Sequence, residues 1–322
     1  MGKPVLLFTE VHSNGVLNLE EKMAWFKRIA FLGMVNIGIM VMLSLILNLL
    51  GVQPYLTSNG INYSSLMIFC LVWGTGGAFI SLFISKWMAK RIYGLEIIQP
   101  GSQHDALLQM VQNIARSANL PAMPEVGIYH SPDINAFATG PSKKNSLVAV
   151  STGLIAKMDR DELEGVIGHE IAHIANGDMV TMTLIQGVLN AFVMFAARIV
   201  ASIIDNFLSG DEEGGGGLGF FGYMATIFVL EMVFGLLAQF VTAYFSRWRE
   251  YRADAGSAKI VGTHKMVRAL EALQRDYGTV TDSDQAVGHD STMAAMQISS
   301  KSKMMALLST HPPLDKRIAA LR

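Results

Sequence analysis

Four apolar stretches, about Ile29 to Leu50, Ser64 to Ile84, Met179 to Ile204 and Phe220 to Phe245, come close to the roughly 20 residues a helix needs to cross a bilayer. A 322-residue chain that gives them so much of its length, with 51% hydrophobic and 16% charged residues and a mean hydropathy of +0.36, expects lipid as the solvent for part of its fold. The first stretch begins too late, and after too many polar residues, to be a cleaved signal peptide, so it reads as a retained anchor. The expected class is a mainly α integral membrane protein with four hydrophobic helices. A net charge of −1, with no alternation of aromatic and basic clusters, argues against nucleic acid as a partner. The single cysteine, Cys70, sits in an apolar run, so there is no disulfide framework and any metal must be held by His and carboxylate.

Basic residues beside the spans set the expected orientation, because positive flanks stay on the cytoplasmic side. Lys22, Lys27 and Arg28 precede the first span, Lys86, Lys90 and Arg91 follow the second, and the loop between them, Gly51 to Tyr63, carries no charge. Asp205, Asp211, Glu212 and Glu213, with the glycine run Gly214 to Gly217, lie between the third and fourth spans, and Arg247, Arg249 and Arg252 follow the fourth. Both termini and the segment from Ile92 to Gly177 are therefore expected on the cytoplasmic side. Arg198 and Glu231 fall inside the third and fourth spans, where a charge costs several kcal/mol unless it snorkels or pairs. Arg198, near the outer end, can snorkel, while the deeper Glu231 needs a partner, for which Arg198 is a candidate; the alternative is a hairpin packed on the soluble part of the chain without fully spanning.

Between the spans the chain reads as a small α+β domain. Leu107, Leu108, Val111 and Ile114 fall at helical spacing in Asp105 to Ala118, and Pro121 to Pro124 ends that pattern. Val126 to Tyr129, Asn135 to Thr139 and Ser146 to Ser151 are strand candidates separated by turn residues. A helix opens at Asp159, three residues before Glu162 as a capping box requires, and stops near Asn176-Gly177. After the fourth span an amphipathic helix is expected over Thr263 to Tyr277. A polar linker or flap comes next, from Gly278 to about Ser291, and then a Met-rich stretch, Met293 to Leu308, which reads as core or as a channel lining.

The Asp159 helix carries His169-Glu170-Ile171-Ala172-His173. Residues four apart share a helix face, so His169 and His173 can hold one metal ion, with Glu170 beside its open side as a general base. A hydrolytic zinc site needs a third protein ligand and an open fourth position. A third histidine six residues beyond His173 would make a metzincin, but position 179 is Met. Glu250 is the better candidate: it opens Glu250-Tyr-Arg-Ala-Asp254 just after the fourth span, as His173 lies just before the third, and an antiparallel hairpin of those spans would bring the two together. The competing reading makes Glu250 a surface carboxylate paired with Arg247 or Arg249. Asp254, one turn on, can accept an imidazole N–H and fix a ligand tautomer.

With these residues assembled, the sequence resembles the HtpX heat-shock proteases, relatives of the type I CAAX prenyl proteases. The motifs are Asn135 to Gly140 (NAFATG), Gly168 to Met179 (GHEIAHIANGDM), Glu250 to Asp254 (EYRAD) and Thr310 to Ile318 (THPPLDKRI). The resemblance implies a zincin-like (gluzincin) domain, one zinc per chain held by His169, His173 and Glu250, and catalysis by Glu170. It also implies proteolysis of misfolded or damaged membrane and cytoplasmic polypeptides under stress, at the bacterial inner membrane. Asn135-Ala136-Phe137 is then a substrate-binding edge strand, His311 is placed to donate to a developing oxyanion, and Arg317 either orients Asp254 or Glu250 or forms a plain surface salt bridge. The expected organisation is a cytoplasmic segment 1–28, a transmembrane hairpin 29–91, a first catalytic part 92–178, a second hydrophobic hairpin 179–245 and a second catalytic part 246–322.

Two other classes compete. A membrane chaperone or scaffold with purely structural zinc would need a closed four-ligand site, and the motifs supply three ligands. A transporter using Arg198 and Glu231 would need internal repeats and further intramembrane polar groups, which the sequence lacks. His12, His104, His130, His264 and His289 have no metal spacing to any partner.

Overall fold

The structure, a computed structural model, describes residues 63–209, 217–284 and 309–322. The expected first span, the N-terminal segment, the Met293 to Leu308 stretch and most of the acidic, glycine-rich loop lie outside the described residues. The chain divides into two units, Met1–Phe69 and Cys70–Arg322, and the second holds all the described elements apart from the first turns of the first helix.

Three described helices are long and apolar enough to cross a membrane: α1 (Tyr63–Ile92), α5 (Asp178–Ser209) and α6 (Gly219–Val261). Large apolar side chains such as Phe83 on α1, Phe192 on α5 and Phe228 and Leu236 on α6 stand exposed, as residues do when lipid is their solvent. Helices immersed in lipid gain little from burying more apolar surface, so close backbone approach matters more. A Cβ added at Gly74 of α1 would lie 2.4 Å from the backbone nitrogen of Ala191 on α5, a contact only glycine permits. Helices α5 and α6 pack on each other, and Arg198 Nη1 donates to Glu231 Oε1 at 2.7 Å and to the Met194 carbonyl at 2.9 Å, the partnership expected for two charges on facing apolar helices.

The soluble body holds a four-stranded sheet in the order β1-β2-β4-β3, built from β1 (Glu96–Ile97), β2 (Glu125–Tyr129), β3 (Ala136–Ser142) and β4 (Asn145–Ser151). Strands β2 and β4 run parallel, while β3 pairs antiparallel with β4 and forms the outer edge. Every residue of β4 after Asn145 is buried, as befits a central strand covered on both faces. Val126 and Ile128 of β2, with Val148 and Val150 of β4, meet Val111 and Ile114 of α2 (Asp105–Ser117) and Val166, Ile167 and Ile171 of α4 (Arg160–Asn176) in one core. The short strand β1 and the helix α3 (Thr152–Lys157) have no counterpart in the sequence reading, and both are shorter than a hydrophobic period can register.

Helix α4 begins at the expected capping box, with Asp159 accepting from the Glu162 amide and Glu162 accepting from the Asp159 amide. It ends at Gly177 in the left-handed conformation, and α5 starts at the next residue. Gly168 lets α6 approach: a Cβ there would sit 2.6 Å from Ser257 Oγ, a hydroxyl that donates to the Gly165 carbonyl. Helix α6 runs without a break from the apolar span through Glu250 and Asp254, because no proline interrupts 219–261. Helix α7 (Thr263–Asp284) is longer than expected, so residues Gly278 to Asp284, which the sequence reading assigns to the start of a linker, are helical; residues 285–291 lie outside the described residues. Helix α8 (Leu314–Leu321) packs on α6 and α7.

Candidate metal centre

Two helices supply the centre: α4, which passes through Gly177 into α5, and α6, which continues straight out of an apolar span. His169 and His173 project from one face of α4 toward Glu250 of α6, and one donor atom from each of the three lies within 4.8 Å of the others. His169 Nε2 is 3.3 Å from Glu250 Oε2, His173 Nε2 is 3.3 Å from Glu250 Oε1, and the two Nε2 atoms are 3.1 Å apart. All three residues are buried, Glu250 almost completely.

The opposite edge of each imidazole is held by an aspartate. His169 Nδ1 donates to Asp254 Oδ1 at 2.8 Å, and His173 Nδ1 donates to Asp178 Oδ2 at 2.7 Å. Each aspartate is gripped in turn by an arginine. Arg317 donates to both Asp254 oxygens, through Nη2 at 2.7 Å and Nε at 2.8 Å, and Arg252 Nη2 donates to Asp178 Oδ1 at 3.0 Å. A proton fixed on each Nδ1 leaves a lone pair on each Nε2, so two imidazole acceptors and a carboxylate face one another.

Three acceptors so close repel each other unless a cation or a proton lies among them. A tetrahedral zinc ion with ligands at about 2.0–2.1 Å keeps its donor atoms about 3.3 Å apart, close to the spacings found, and His₂Glu is a donor set that zinc favours. The residues therefore fit the metal. Without a metal, burial works against a charged His169, but the Asp254 and Glu250 carboxylates outweigh it and push its pKa up to about 9. His173 behaves in the same way, with burial opposed and overcome by Asp178 and Glu250.

Glu170 is half-buried beside the two histidines on α4, and its carboxylate is among the charges that act on Arg317. His311 lies against Glu250, its Nδ1 3.0 Å from Oε2, with its side chain 64% exposed. Arg317 is no surface pair: it is buried, it holds Asp254, and its Nη1 is 3.6 Å from Glu250 Oε2. The alternative kind of partner for Glu250 is present as well, since Arg249 Nη2 lies 3.2 Å from Oε1, but Glu250 is buried and not a surface carboxylate. Ala136 and Phe137 are on the edge strand β3, which packs against α4, and Asn135 immediately precedes it.

Sequence reasoning missed Asp178 and Arg252. The signal was available, since Asp178 is the first residue of α5 and so follows the Gly177 turn that folds the chain back toward His173. An acidic residue at the start of a helix, five positions after His173, passes easily for an ordinary first-turn charge.

Comparison with known proteins bears on what this centre belongs to. Residues 102–322 match the model of peptidase family M48. The chain belongs to peptidase family M48. It is 51% identical over 298 residues to the protease HtpX of Shewanella sp. (strain MR-4), and 52% identical over 299 residues to that of Shewanella loihica (strain ATCC BAA-1088 / PV-4). Each alignment covers 92% of this chain and 99% of the relative. The crystal structure of S. mikatae Ste24p shares the fold, with a TM-score of 0.61 at 18% identity, over 95% of this chain and 66% of that one. This M48 member is thus a membrane-bound zinc metalloprotease, a hydrolase, and three of its described helices are long and apolar enough to span.

Proposed function

We propose that the chain is an endopeptidase in which His169, His173 and Glu250 hold one zinc ion and Glu170 moves the protons of the hydrolysis. The observation that supports this reading best is the convergence of three buried acceptors from α4 and α6, each imidazole pinned from behind by an aspartate. Three protein ligands leave one position of a tetrahedral ion for water, which favours hydrolysis over a zinc-stabilised chaperone or scaffold. When bound, zinc supplies Lewis-acid chemistry, lowering the pKa of its water to about 7 and polarising the scissile carbonyl.

Glu170 takes the proton of the attacking water and returns it to the departing amine nitrogen. Asp254 with Arg317, and Asp178 with Arg252, keep the imidazole lone pairs aimed at the cluster. His311, already against Glu250, donates to the carbonyl oxygen as negative charge develops. Asn135, Ala136 and Phe137 offer the outer edge of the sheet to an extended substrate, whose main-chain N–H and C=O groups pair regardless of sequence. Such recognition suits an enzyme acting on unfolded or misfolded membrane and cytoplasmic chains, in a stress-related quality-control role.

The likeness to the Shewanella HtpX proteases supports a bacterial inner-membrane protein, the positive flanks support both termini and the centre on the cytoplasmic side, and the apolar stretches and motifs support the partition into 1–28, 29–91, 92–178, 179–245 and 246–322. The decisive test is Glu170→Gln. It should keep about one zinc per chain while cleavage of an unfolded casein-type substrate falls by about 10³-fold. Undiminished cleavage by that variant would remove Glu170 from the mechanism.

A further inference from the structure

Strand pairing at β3, on which the present inference rests, reads the substrate main chain; the same edge also presents a surface to substrate side chains. The outer edge of β3 has no ladder partner among the described residues. Strand pairing within the sheet places Gly127, Ala149 and Phe137 in one row, and Tyr129 and Ser151 in another, with Asn135 joined to Ser151 by hydrogen bonds. Ala136 and Ala138 pack against the core, so Phe137 stands on the other face of the sheet, as does Tyr129, two residues along from Gly127.

On that second face three rings meet. The centroids of Tyr93 and Phe137 are 4.9 Å apart, those of Tyr93 and Tyr129 5.2 Å, and those of Tyr129 and Phe137 5.9 Å, all tilted as aromatic pairs prefer. Tyr129 is buried at 4% exposure and forms the floor, while Tyr93, the residue after α1, is 42% exposed and forms the rim. The floor is not wholly apolar. The buried Tyr129 hydroxyl has the Asn135 side chain and the Glu170 carboxylate in its neighbourhood.

We propose that Tyr93, Phe137 and Tyr129 form a specificity subsite that takes an aromatic or large aliphatic side chain of the bound polypeptide. A strand added to β3 sends alternate side chains to opposite faces, and those on the face of Phe137 come to lie against the Phe137 and Tyr93 rings. Aromatic and aliphatic groups gain contact there, and small or acidic ones do not. Because Tyr93 comes directly after α1, the selection operates beside an apolar helix, where segments drawn from a membrane would present such side chains.

The test uses the full-length zinc-loaded protein in lipid nanodiscs, with one fluorogenic peptide scaffold carrying Phe, Leu, Ala or Asp at each position in turn. The protein should prefer Phe over Ala roughly tenfold in kcat/KM at one position, or at positions two apart. Phe137→Ala and Tyr93→Ala should each reduce that preference to about twofold or less. Should Phe137→Ala fail to fold, Phe137→Leu and the rim variant Tyr93→Ala decide the matter. A tyrosine that served only as an interfacial anchor would leave peptide selection untouched, so a variant profile that superimposes on the parent profile overturns the subsite. N-methylation of the peptide amides separates the two readings. Loss of cleavage on methylation with unchanged selection in the variants keeps strand pairing and overturns the subsite. Unaffected cleavage of every methylated peptide overturns strand pairing, and the subsite with it.

Discussion

Around His169 and His173 every buried charge has at least two partners: Asp254 holds His169 and Arg317, Asp178 holds His173 and Arg252, and Glu250 meets both imidazoles, His311 and two arginines. In the α5–α6 hairpin, Arg198 donates to Glu231 and to the Met194 carbonyl. Both regions remove charge from water, but they do so for different ends. The first arrangement holds acceptor atoms in mutual opposition and is over-determined against their repulsion. The second only has to be neutral enough to stay in an apolar setting.

If this contrast is right, single changes should cost far more at the centre than in the hairpin. The largest effect is expected for Arg317→Met, which strips Asp254 and Glu250 of a buried counter-charge. Unfolding of the soluble body should become easier by about 3–5 kcal/mol, seen as a much lower Tm, because an unpaired buried charge remains. A loss under about 1 kcal/mol would show that the arginine is a spectator.

Asp178→Asn comes next. The amide cannot hold a proton on His173 Nδ1 as a carboxylate does, so zinc affinity measured by competition with a chelator should fall about 10–100-fold with the fold intact. Unchanged affinity would make Asp178 merely the first residue of α5. The smallest effect belongs to the hairpin. Arg198→Met should cost about 1–2 kcal/mol, and Arg198→Met with Glu231→Leu should recover most of it while proteolysis persists. Loss of cleavage in the double variant would erase the distinction between the two regions.

Much of this is legible in the residues because the signals are local. The capping box at Asp159 and Glu162, the stop at Gly177 and the i, i+4 pair of histidines all operate within one helix, and each is where the sequence places it. Glu250 is reachable over 77 residues only because an apolar hairpin forces its ends together. What escapes depends on packing that spacing does not encode. Arg317 can be read equally as a surface charge, since nothing in the Thr310 to Ile318 motif says that α8 buries it against Asp254. Asp178 is hidden by its proximity to His173, because five residues on one continuous helix would point elsewhere; the left-handed Gly177 redirects it. The aromatic cluster joins Tyr93, just after α1, with Tyr129 of β2 and Phe137 of β3, and only Phe137 lies in a motif that the sequence singles out.

Everything proposed for the centre depends on α4 and α6 together making one metal site with three protein ligands. That dependence is tested by the zinc content of the purified full-length protein carrying Glu250→Ala, measured beside the parent and Glu170→Gln. About one zinc per chain is expected in the parent and in Glu170→Gln, and well below one in Glu250→Ala. Full zinc content in Glu250→Ala would place the third ligand elsewhere and refute the three-ligand site.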